Sequence, residues 1–122
     1  MTDEYEIKFY ADSQTGKSDV FKYLKNLDVK DRTKVNKYIK HLQVNKGYLE
    51  EPYSKHITGK IRELRVDFFH NHHRVFYFAF VGKNIILLHA FLKKTQKTPP
   101  QEIKRALDNY NDFIINQSTY EE

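Results

Sequence analysis

Tyr5, Ile7 and Phe9 alternate with Glu6, Lys8 and Tyr10, the period-two pattern of a short strand with one buried face. A polar loop from Ser13 to Ser18 contains Gly16. Ser18 or Asp19 can cap the helix that follows, where Val20, Phe21, Leu24 and Leu27 recur at helical spacing. Asp28 breaks that stripe; Val35, Tyr38, Ile39 and Leu42 form a second one, ending near Gly47. So short a link predicts two antiparallel helices. Residues 48–59, with Pro52 and Gly59 as breakers, read as a loop. Three strands come next. Leu64, Val66 and Phe68 face one way and Glu63, Arg65 and Asp67 the other; Phe69 to His73 is the turn; Arg74 to Val81 is the second strand. Gly82-Lys83-Asn84 signals a hairpin, and Ile85 to Leu92 is apolar on both faces, as in a central strand covered on both sides. Thr98-Pro99-Pro100-Gln101 predicts a helix with Thr98 as N-cap and Gln101 completing a capping box. Ile103, Ala106, Leu107, Tyr110, Phe113 and Ile114 make its apolar stripe, and the tail from Asn116 is expected to fray. The order is β-α-α-β-β-β-α, an α+β domain with an antiparallel meander, and 122 residues suit one domain over residues 1–122.

Composition narrows the class. Gly and Pro are few, and 9 Phe with 9 Tyr supply a core, so disordered and collagenous readings fail. No apolar stretch is long enough to span a bilayer, and Met1-Thr2-Asp3-Glu4 does not open a secretory signal, so the cytoplasm is expected and no membrane. With no Cys there is no disulfide scaffold, thiol nucleophile or Cys-ligated zinc. Neither a metal nor a cofactor is expected.

Charge is uneven. Residues 1–53 hold 10 basic and 9 acidic groups, residues 54–105 hold 11 and 3, and residues 106–122 hold none and 4. The middle segment, net +8, carries five of the six His and the most apolar strands. Its cations therefore sit on a packed sheet, which points to a polyanion ligand rather than a solubilising surface.

Two motifs mislead. Ala11 to Ser18, with Gly16-Lys17-Ser18, matches a relaxed phosphate loop between a strand and a helix, but a meander cannot build the parallel βαβ sheet that loop serves. The His70, His72, His73 cluster lacks Cys and acidic co-ligands, so its His read as solvated; His73, beside Arg74, is of interest as a proton donor. His89, inside an apolar strand, reads as a core histidine.

Pairing the last two strands around Gly82-Lys83-Asn84 sets Arg74 opposite Leu92, next to Lys93 and Lys94. Pairing the previous turn brings Arg65 near Arg74. Arg65, Arg74, Lys93 and Lys94 should meet at one sheet end, with Arg74 partly exposed at a strand start. Such cations hold a phosphate and stabilise a phosphorane-like transition state, and RNA brings its own nucleophile, the 2′-OH.

Ile61 to Arg65, Arg74 to Tyr77 and Leu87 to Pro99 together resemble the core of the phage-derived RelE/HigB-like toxins of type II toxin–antitoxin systems, over about residues 55–115. The resemblance implies a RelE-like fold with a curved antiparallel sheet on two N-terminal helices, plus a C-terminal helix. It implies an mRNA endonuclease working on the translating ribosome, neutralised by a cognate antitoxin, HigA-like with a helix-turn-helix domain, through which alone it reaches operator DNA. Arg65, Arg74, Lys93 and His73 take the catalytic positions, and Lys60, Arg62, Lys94 and Lys97 the RNA-binding ones. Many RelE-type toxins place a Tyr or His just after the last strand; Lys94 to Lys104 holds neither, so acid–base work falls to His73, His89, Glu63 or a Lys. The alternative within the same fold is a ParE-like toxin that binds a protein such as gyrase and cleaves nothing.

Overall fold

The computed structural model describes residues 4–80 and 82–117. Eight elements follow in order: β1 (Glu6–Phe9), α1 (Asp19–Lys25), α2 (Val29–Val44), β2 (Ser54–Thr58), β3 (Ile61–Phe68), β4 (Asn71–Phe80), β5 (Asn84–Leu92) and α3 (Pro100–Ile115). The sheet order is β1-β5-β4-β3-β2. The α+β class is borne out and the expected elements form, but β4 starts at Asn71, inside the stretch read as a turn, and there are two further differences. β2 lies in the stretch read as a loop. Its Ser-Lys-His-Ile-Thr sequence has no apolar face, and an edge strand needs none, because β3 supplies its backbone partners. And β1 joins β5 in parallel, so the sheet is mixed rather than purely antiparallel.

Alternation sorts the sheet into two faces. Leu64, Val66, Val75, Tyr77, Ile85 and Leu87 pack with Val20, Leu24, Val35, Ile39 and Leu42 of α1 and α2. Ile61, Phe76, Phe78, Ile86, Leu88 and Phe91 pack with Ala106 and Phe113 of α3 on the other face. Ser18 Oγ accepts the Phe21 N–H and Asp28 Oδ1 the Asp31 N–H, capping α1 and α2. The Thr98 cap does not form. Pro99 is the N-cap residue of α3, with no side-chain cap, and the Thr98 hydroxyl donates instead to Glu63 Oε2 at 2.9 Å. The Ala11 to Ser18 stretch is the expected polar loop, turned by Asp12 Oδ1 accepting from the Gln14 and Thr15 N–H groups. The tail expected to fray lies, from residue 118 on, outside the described residues. Among the described residues no helix is long and apolar enough to cross a membrane.

Two structural carboxylates give the fold an acid limit. Hydrogen bonding from His73 above all, against the cost of burial, holds Asp31 below the usual carboxylate range. Ser13 and Tyr10 do the same for Asp112, which ties the first loop to α3. A depressed folded value means that their stabilisation is complete above the unfolded value of ~3.9 and is lost as pH falls through the lower folded one. The urea midpoint should therefore drop between pH 4 and pH 2 (both approximate bounds), and less steeply for Asp112→Asn. An unchanged slope in that variant would contradict the assignment.

Candidate active site

Three cross-strand rows share the α3 face, the first of them tied to the first turn of that helix through His89 and Glu102. The first joins Lys55, Glu63, Phe76 and His89; the second joins Arg65, Arg74 and Phe91. The third joins Asp67 to His72, with Lys93 alongside through its N–H to the His72 carbonyl at 2.8 Å. The register differs from the expected one by a residue. Arg74 faces Phe91, not Leu92: the turn side pairs Phe80 with Asn84, two residues short of the expected register, and a bulge that leaves Leu88 unpaired on β5, opposite the Phe76–Tyr77 step of β4, restores one of the two. That extra residue shifts the alternation, so His89 and Phe91 share the face of Arg74.

Arg65 and Arg74 are thus direct neighbours, but Arg74 is not partly exposed: it is 5% accessible. Its Nη1 donates to Asp67 Oδ1 at 2.8 Å and to the His73 carbonyl at 3.1 Å. Arg65 Nε stands 3.5 Å from Glu63 Oε1, an ion pair without hydrogen-bond geometry. Among the described residues the buried Nε atoms of both arginines have no hydrogen-bond partner, a costly state for cationic donors. Beside them an open cleft of about 650 Å³ is lined by Asp67, His72, Arg74, Lys93, Lys94 and neighbours. Desolvation, then Arg74, holds the Lys93 ammonium below its ordinary value; Arg65 and Lys55 add to this and Glu63 opposes it. Burial pushes the Asp67 carboxyl up, yet hydrogen bonds from Arg74 and His72 outweigh it and leave the carboxyl lowered.

The expected residues divide. Arg65, Arg74, Lys93 and Lys94 come together. His73 lies on the opposite face, 2% exposed, with Nε2 2.7 Å from Asp31 Oδ2 and Nδ1 2.8 Å from the Tyr23 hydroxyl. Burial and the Asp31 charge push that hydroxyl up to about 12. Arg62 also faces α2, where it bonds Ser54 Oγ and the Leu49 carbonyl and lies over the Tyr48 ring. Lys60 sits in the β2–β3 turn toward the other end of the sheet, and Lys97 is exposed in the loop before α3, outside the cleft lining.

His72 takes the place expected of His73. It lines the cleft, its side chain is 46% exposed, and its Nδ1 lies 3.0 Å from Asp67 Oδ1, a carboxylate that can orient the ring. Its signal was parity: two positions before Arg74 on one strand means the same face, hidden because residues 69–73 read as turn. His89 is stacked on Phe76 and Phe91 and bonds Glu102 of α3 at 2.6 Å. Among the described residues no three His, Asp or Glu groups gather in a metal-binding cluster.

Residues 22–111 match the family described as Phage derived protein Gp49-like. The chain is also 46% identical over 54 residues to the Probable endoribonuclease HigB1 of two Mycobacterium tuberculosis strains. That stretch covers 44% of this chain and 42% of the relative, so the match spans under half of each.

Proposed function

The chain belongs to the Gp49-like family of phage-derived proteins, and from that premise we propose that it is the toxin of a type II toxin–antitoxin system, an mRNA endonuclease of the cytoplasm. The observation that carries this reading is the convergence of cations on one sheet end, where Arg74, paired across the strands with Arg65, lines one cleft with Lys93 and Lys94. The relative's endoribonuclease name and the likeness to RelE/HigB-like toxins support it.

Arg65 and Arg74 grip the scissile phosphate, and Lys94 the next one. His72, oriented by Asp67, takes the proton of the 2′-OH as its oxygen attacks phosphorus. The bond to the 5′-oxygen breaks, and Lys93, whose ammonium is eased toward deprotonation, protonates that leaving oxygen. The products are a 2′,3′-cyclic phosphate and a 5′-hydroxyl. Lys60, Arg62 and Lys97 stand apart from this chemistry, and His73 supports the fold. The cleft grips few nucleotides, so the translating ribosome supplies the bent strand that in-line attack needs. A cognate antitoxin presenting acidic residues covers the cleft.

Induction in growing cells followed by primer extension on a translated message tests the reading. Discrete cuts inside the reading frame with arrested growth are expected. Intact messages with DNA damage would overturn it in favour of a gyrase-type protein target.

A further inference from the structure

A second groove opens on the other side of the β3–β4 hairpin, between α2 and the segment before β2. It measures about 350 Å³, in the range of small-molecule sites, and is lined by Lys34, Lys37, Tyr38, His41, Leu49 and Tyr53, with no carboxylate. Lys34 Nζ stands 5.7 Å from the Tyr38 ring centre and 5.8 Å from that of Phe68, and the Tyr38 and Tyr53 rings are 6.0 Å apart. Phe68 contacts Phe69 at 4.7 Å, and the chain then enters His70 and Asn71, which line the active-site cleft.

Phe69 is a second, independent oddity. It is 83% exposed and held at φ 55, in the left-handed region that a bulky residue rarely adopts. A turn needing that conformation accommodates Gly or Asn more easily, so packing does not account for a phenylalanine presented to solvent. Rings interleaved with cations and free of acids suit stacked bases on a tracked phosphate backbone.

We propose that this groove, continued by Phe68 and Phe69 into the cleft, is a second RNA site that holds single-stranded nucleotides flanking the scissile phosphate. The proposal rests on the nuclease reading above but concerns different residues. Its partner is single-stranded RNA rather than an acidic protein segment, because stacking faces are spaced along the groove as well as charge.

The test is anisotropy titration of the whole protein at low salt, with two RNA probes in which every 2′-hydroxyl is methylated, so that neither can be cleaved. One probe is a dinucleotide that fills the cleft alone; the other is an oligomer of about twelve nucleotides that spans both sites. Lys34→Glu with Lys37→Glu, and separately Phe69→Asn, should weaken the oligomer by about tenfold or more and leave the dinucleotide unchanged. Phe69→Asn suits the backbone there, so it leaves the fold in place. Equal oligomer affinity in wild type and variants, or antitoxin affinity falling while RNA affinity holds, would overturn the proposal. A wild-type protein that binds the oligomer no more tightly than the dinucleotide would overturn the proposal and leave the nuclease reading, which the cleavage experiment tests, standing.

Discussion

Replacing Arg74 by alanine should lower RNA cleavage by about 10²–10³-fold, the scale for losing one preorganised donor to a developing oxyanion. The same substitution should cost stability, on the order of 1–3 kcal/mol, because Arg74 is buried and its Nη1 bonds Asp67 and the His73 carbonyl. Activity must therefore be read at a temperature where circular dichroism shows the variant folded. Arg74→Lys separates the roles: it retains charge, loses the fork, and should remain about 10-fold or more below wild type while recovering part of the stability. A folded Arg74→Ala that cleaves at the wild-type rate would remove the phosphate role.

The neighbouring histidines should respond in opposite ways. His72→Ala should cut cleavage by about 10²–10⁴-fold, the usual worth of a general base, with little change in thermal midpoint, since the ring is half-exposed and bonded only to Asp67. His73→Ala removes the main hydrogen-bond partner of Asp31 and should cost about 1–3 kcal/mol, the scale for stranding a buried polar group. Thermal unfolding and cleavage rate, measured on both variants, decide the matter. Equal activity loss in two fully folded variants would contradict the division of the two faces.

That division shows where the sequence stops being informative. The strands, both N-terminal helices and the gathering of Arg65, Arg74, Lys93 and Lys94 follow from alternation and helical spacing, because buried faces demand them. β2 escapes that logic, since an edge strand takes its hydrogen bonds from β3 and carries polar side chains. The bulge at Leu88 escapes it too. Ile85 to Leu92 is apolar on both faces, so no polar position marks where the alternation shifts. The side to which β4's histidines point was equally hidden. His72 and His73 are adjacent in sequence and differ only in parity, and parity became readable once the strand began at Asn71 rather than Arg74.

The central claim is that a cationic sheet face cuts RNA by turning its own 2′-hydroxyl on the phosphate. The direct measurement uses purified protein, translating ribosomes and one message carrying a single 2′-deoxy nucleotide at a mapped cut. Uncut product at that position, with 2′,3′-cyclic phosphate and 5′-hydroxyl ends at every remaining cut, is the predicted result. Cleavage at the deoxy position, leaving a 5′-phosphate, would mean that water is the nucleophile and would contradict the account.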